Sequence, residues 1–262
     1  MNRLYWLGNA AKTKIIAELL RRAEGREVLI FDYGCGQGGD WARILTDYPH
    51  LRLVGYDPSA ASIAVARARL QGCRAEFFSG AALPEFQFKA DFVVSFSVLE
   101  HVYDRPAYIH TLKARLADRG LAYLNYDDGH FRQALDLGLP RAWPGQVREW
   151  LDNQRVRGWA RLGRPAHYQA RVERGAADRL VREAGLQVRE VFYSNLAALK
   201  LLFTTVPPDR REAYARVWLD FEDALNARFL AEGAPVWGDP ANLWRFMPSR
   251  TLVLAHPEAP GL

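Results

Sequence analysis

The chain has 262 residues, 49% hydrophobic and 25% charged, a balance that suits a soluble protein with one large α/β domain or one domain with appended lids. No segment reaches the roughly 18 apolar residues of a membrane span, no basic stretch followed by an apolar core marks a secretory leader, and Cys35 and Cys73 are too few for a disulfide framework or a metal cluster. A cytoplasmic protein is the expectation. The net charge of +5 is concentrated, because Arg141, Arg148, Arg155, Arg157, Arg161, Arg164, Arg171 and Arg174 face only Glu149, Asp152 and Glu173. Such a patch suits phosphate, sulfate, carboxylate or nucleic acid, or is simply a solvated helical surface.

In chain order, residues 28–33 form a near-continuous apolar run, as a strand covered on both faces should. Residues 51–56, 75–78, 92–96 and 121–126 repeat the pattern, and between them 41–48, 59–70 and 105–117 read as helices. Ser59 is the expected N-cap of the second of these, and Gly120 is expected in a helix-to-strand turn that needs positive φ. The alternation predicts βαβ units and a parallel sheet. After residue 130 the rhythm breaks: 131–170 is rich in Arg, Trp, Pro and Gly with no clear strand. A helix over 172–184, ended by Gly185, and a strand over 186–193 resume it. A second interruption over 195–248 is mostly helical through 210–231, and its apolar stretch 196–206, broken by Lys200, reads as a buried or interfacial helix. Residues 251–255 supply a last strand. The expectation is one domain over 1–262 whose insertions, at about 131–170 and 195–248, emerge at the ligand edge and cap an acceptor pocket. Trp143, Trp150, Trp159, Trp218, Trp237 and Trp244 all fall in these insertions, to fill a helical core or to wall that pocket.

The informative segment runs Val28-Leu-Ile-Phe-Asp32-Tyr-Gly34-Cys-Gly36-Gln-Gly38-Gly39, a strand entering a glycine-rich turn that opens a helix. Gly34, Gly36 and Gly39 alone satisfy the dinucleotide pattern G-x-G-x-x-G. Asp32 argues against a dinucleotide: a carboxylate two residues before the first glycine opposes a pyrophosphate and suits an ammonium group. Asp57 ends the second strand, ahead of Pro58. The run Phe77-Phe-Ser-Gly80-Ala81 follows the third, and Asp91-Phe-Val-Val-Ser95-Phe96-Ser97-Val-Leu-Glu100-His101 carries the fourth.

Together these segments resemble the motifs of class I S-adenosylmethionine-dependent methyltransferases, closely over about 26–130 and more loosely over 172–193 and the final strand. The resemblance implies an α/β, Rossmann-like, mostly parallel seven-stranded sheet with helices on both faces and two largely helical insertions. It further implies that Asp32, Gly34, Gly36 and Gly38 hold the methionine moiety of S-adenosylmethionine. Asp57 would accept from the ribose hydroxyls, Pro58, Gly80 and Ala81 would border the adenine, and Ser95 and Phe96 would border the sulfonium and the acceptor. Many relatives carry Asp where this chain has Gly80, which leaves backbone groups to read the adenine.

Methyl transfer from a sulfonium is an in-line displacement, so the protein positions reactants and excludes water. A base is needed only for a hydroxyl or another poorly ionised acceptor. His167, His101 and His130 are the candidates, with His167 preferred because it stands where the arginine-rich insertion rejoins the fold. Ser97 occupies the position of the first glutamate in the metal-binding arrangement of some quinone-pathway relatives, so no metal site is expected. No Asp/Asn-Pro-Pro-aromatic sequence follows the fourth strand, and neither cysteine suits cytosine-C5 chemistry. The expected acceptor is a small molecule or glycan-like intermediate, methylated at O or N. The alternatives are an RNA methyltransferase using the arginine-rich insertion, and a non-catalytic protein binding this cofactor or a dinucleotide.

Overall fold

The computed structural model describes residues 4–80, 88–127, 174–228 and 247–257, with positions 158, 161, 162 and 172. Helix α1 (Ala10–Arg22) begins at Asn9, whose side chain accepts from the amide of Lys12, and buries Ile15, Ile16, Leu19 and Leu20 along one stripe. This helix lies ahead of the elements expected from the sequence, although its N-cap and its apolar pairs four residues apart mark it. Next come β1 (Val28–Tyr33), α2 (Ala42–Asp47), β2 (Leu51–Tyr56), α3 (Ala60–Arg69) and β3 (Ala75–Phe78). The expected Ser59 cap of α3 is present, its hydroxyl accepting from the amide of Ser62. Strand β4 (Ala90–Phe96), a 3₁₀ turn over Leu99–His101, α4 (Arg105–Arg115) and β5 (Leu116–Asp127) follow. The last described elements are α5 (Arg174–Glu183), β6 (Gln187–Ser194), α6 (Ala197–Phe203), a 3₁₀ turn over Pro208–Arg210, α7 (Arg211–Asn226) and β7 (Ser249–Ala255).

The strands form one seven-stranded sheet in the order β3-β2-β1-β4-β5-β7-β6. The first five are mutually parallel, and β7 runs antiparallel to both β5 and β6. Strand β6 therefore points the same way as β5, so the carboxyl ends of all six parallel-running strands lie along one edge. Asp127, Ser194 and Ser249 meet there, since Ser249 pairs with both of the others. The chain between β6 and β7 thus leaves and re-enters the sheet at that edge.

Side-chain alternation assigns the two faces. Ile30, Phe92, Val94 and Tyr123 pack with α1, α2 and α3 on one face, while Phe31, Val93, Ala122 and Leu124 pack with α4 and α5 on the other. Asp32, two residues after Ile30, is on the α1 face. Three expectations change. Gly120 lies within β5 without positive φ; it is glycine because a Cβ there would come 2.9 Å from the carbonyl oxygens of Ala90 and Asp91. The helix expected to reach residue 117 stops at Arg115, and β5 takes over at Leu116, which pairs with Ala90 across a bulge. The apolar stretch after residue 195 is helical but not buried: α6 has no buried residue, and Leu201 and Leu202 face outward.

Candidate active site

Four loops meet at the carboxyl edge. After β1 the chain turns at Gly34, whose φ of +87° is a left-handed value, and a Cβ there would strike the Val98 side chain at 2.3 Å. The turn lies over the end of β2, with the amides of Gly34 and Cys35 both donating to the Tyr56 carbonyl at 2.7 and 3.0 Å. Gly36 N donates to Asp57 Oδ2 at 3.1 Å, and Gly38 N to the Cys35 carbonyl at 3.0 Å. These four amides are committed within the protein, so the turn is not the open nest of amides that a pyrophosphate occupies. Among the described residues, a Cβ on Gly36 would meet nothing within 4 Å, so none of them fills the top of the turn.

Asp32 lies beneath this turn, 3% exposed. Trp41 Nε1 donates to its Oδ2 at 2.7 Å, and its Oδ1 has no partner among the described residues. Burial pushes the carboxyl up to about 7; the Trp41 bond and the nearby Lys12 charge oppose the rise, while Asp40 and Asp57 add to it. A buried carboxylate with one orphan oxygen costs free energy unless a cation completes it. Asp57, half-buried at the end of β2, accepts from Gly36 N through Oδ2 and from Ser59 N through Oδ1 at 2.9 Å. It thus knits the turn to the start of α3, and each oxygen retains a second lone pair for a ligand hydroxyl. Pro58 beside it is exposed. The loop after β3 is fixed by Tyr56, whose hydroxyl donates to the Gly80 carbonyl at 2.7 Å; Ala81 lies outside the described residues.

At the end of β4 the two expected residues separate by face. Phe96 is buried on the α1 side, with Lys12 Nζ 5.5 Å from its ring centroid. Ser95 turns to the α4 side, where it donates to the Tyr33 carbonyl at 2.9 Å and accepts from the Tyr108 hydroxyl at 2.5 Å. Its side chain is thereby engaged inside the protein, and its backbone is what borders the edge. Ser97 follows at φ +54°, rare for a residue other than glycine, with its amide donating to the Asn125 carbonyl.

Of the histidines, His101 is exposed at the end of its 3₁₀ turn, while His130 and His167 lie outside the described residues. The inward member of the Glu-His pair is Glu100, 5% exposed, with Oε2 unpartnered among the described residues. Burial raises it to about 7, its own amide and that of Asp127 draw it back, and the Asp127 charge adds to the rise. It therefore joins the loop after β4 to the end of β5. Glu100, Trp41 and Lys12 are functional candidates that the sequence pattern does not mark, His101 being the expected member of the pair. A three-residue turn has no periodicity to say which side chain points inward.

The chain matches the family model described as a methyltransferase domain over residues 7–191. Among curated proteins it is 28% identical to a trans-aconitate 2-methyltransferase of an Enterobacter species over 155 residues, covering 56% of this chain and 60% of the relative. The matched stretches span 60%, 35% and 46% of the lengths of three curated relatives. Among solved structures, the magnesium protoporphyrin IX methyltransferase of Synechocystis superposes with a TM-score of 0.55 at 14% identity, over 98% of this chain and 90% of that one. A plantazolicin methyltransferase superposes with a TM-score of 0.55 at 15% identity, over 95% and 85%. At such identities the superpositions establish the Rossmann-like fold alone.

Proposed function

The chain belongs to the methyltransferase-domain family, and on that premise we propose that it transfers a methyl group from S-adenosylmethionine to a small organic acceptor, at oxygen or nitrogen. The observation that carries this reading is Asp32: a buried carboxyl, pinned on one oxygen by Trp41 and, among the described residues, orphaned on the other, under a glycine turn that those residues leave open. It fits the ammonium of the cofactor's amino-acid end. Asp57 fits the ribose hydroxyls, because it is a fixed carboxylate at the next strand end with lone pairs to spare. The same groups disfavour a dinucleotide: a pyrophosphate would face Asp32, Asp40 and Asp57 and find the turn amides already bonded.

Bound there, S-adenosylmethionine supplies an electrophilic methyl group on a sulfonium. The residues of the chain hold and shield it. Asp32 and the turn fix the amino-acid end, Asp57 fixes the ribose, and Phe96 with the backbone at Ser95 closes the floor at the end of β4. The second insertion, which leaves and rejoins the sheet at this edge, supports a cap that excludes water from the acceptor. For a hydroxyl acceptor, a histidine among His167, His130 and His101 takes the proton.

The curated relative named for trans-aconitate supports a small-molecule acceptor over RNA. The experiment is transfer of radiolabelled methyl from S-adenosylmethionine into fractionated cell extract. Label in the small-molecule fraction is expected. Label confined to RNA, with steep salt dependence, would install the RNA reading instead.

A further inference from the structure

We infer that Lys12 binds the carboxylate of the cofactor's amino-acid end, making α1 part of the cofactor site; the inference rests on the cofactor reading above. Asp32 accounts for the positive half of that zwitterion only, and the negative half needs a cation close by. Lys12 is placed to supply it. Its Nζ is 2.7 Å from Asp40 Oδ2, on the far side of the glycine turn, and lies over the ring of Phe96 at the end of β4. Its charge is near enough to Asp32 to act on that carboxyl. The ammonium of Lys12 thus lies between Asp40, just past the turn, and Phe96 at the end of β4, within electrostatic reach of the Asp32 carboxyl.

A second observation comes from the helix. Lys12 stands in the first turn of a 13-residue helix that has no acidic residue in that turn. A cation there opposes the helix dipole and costs helix stability, whereas an anion is favoured. Lys12 and the helix end together concentrate positive charge, with Asp40 as a partial partner about 30% exposed. The ammonium has three donors, so Lys12 can keep Asp40 and still donate to a ligand carboxylate. Arg69, another cation at the turn, donates from Nη1 to the Gln37 carbonyl at 3.0 Å.

The test is titration calorimetry of the full chain and its Lys12→Met variant with two probes, S-adenosylmethionine and decarboxylated S-adenosylmethionine. Lys12→Met is expected to weaken S-adenosylmethionine about 10- to 100-fold, as loss of a charge-assisted bond should, and to leave the decarboxylated probe within a few-fold. Equal losses for both probes, or none for S-adenosylmethionine, overturn the inference alone. A wild-type protein that binds neither probe overturns the cofactor reading and this inference with it. Thermal unfolding of Lys12→Met at the wild-type temperature certifies that the variant is folded.

Discussion

The carboxyl edge has two halves of different construction. Under β1, β2 and β4, the groups after the strands take their partners from the same or the next loop, Gly36 on Asp57, Tyr56 on Gly80 and Trp41 on Asp32, and Lys12 reaches in from α1. Across β5, β7 and β6, the joins connect distant segments. Asn125 Nδ2 donates to Ser249 Oγ and Thr251 Oγ1, Asn195 Oδ1 accepts from Ala10 N, and Asn226 brackets Tyr193 by accepting from its amide and donating to its carbonyl. Local geometry therefore builds the cofactor half, while tertiary contacts build the other. Substitutions in the two halves should accordingly move different observables.

The sharpest separation is expected at the buried clamp of α7. Asn226→Ala strands the amide and carbonyl of Tyr193 and a bond to the Glu222 carbonyl. It should cost about 2–4 kcal/mol of stability in denaturant unfolding. S-adenosylhomocysteine affinity should stay within a few-fold of wild type; a parallel collapse of affinity would break the division between halves. In the cofactor half, Asp57→Ala should cost about 1–3 kcal/mol in the same affinity, read by calorimetry.

A pH series sharpens the comparison further. Asp32 stands at about 7 in the free protein, raised by burial, with Trp41 and Lys12 lowering it and Asp40 and Asp57 raising it. Pairing with an ammonium requires its ionised form, so binding releases a proton below that pH. Affinity should rise with pH toward 7 and level above it, and Asp32→Asn should bind more weakly with that rise removed. For stability the sign is opposite. The raised folded value means that Asp32 and Glu100 contribute stability below their unfolded values near 4, and this is lost as pH rises through about 7. In ligand-free protein, Asp32→Asn and Glu100→Gln should each flatten that part of the stability profile. The smallest effect belongs to the exposed His101: His101→Ala should change stability by no more than about 0.5 kcal/mol and leave cofactor affinity unchanged.

The same contrast explains what was legible in the sequence. β1 with its glycine turn, Asp57 before a capped helix, and the order of the first five strands are written in contiguous residues with simple periods. Gly120 was misjudged because its reason is two carbonyl oxygens of β4, in contact only once the strands pair. The apolar α6 stretch gave no hint that Leu201 and Leu202 would be outward, since a short run has no polar face to orient it. Trp218 could be core or pocket wall; it packs with Trp6 and Phe203, from segments that sequence spacing does not connect. Lys12 was invisible because an isolated lysine on a helix announces nothing until Asp40 and Phe96 stand beside it.

The central claim is that the Asp32 turn holds an amino-acid-bearing nucleoside rather than a dinucleotide. Titration calorimetry of the wild-type chain with S-adenosylhomocysteine and, separately, with NAD tests it most directly. One equivalent of S-adenosylhomocysteine should bind, with no saturable heat from NAD. Saturable binding of NAD with none of S-adenosylhomocysteine would contradict the account.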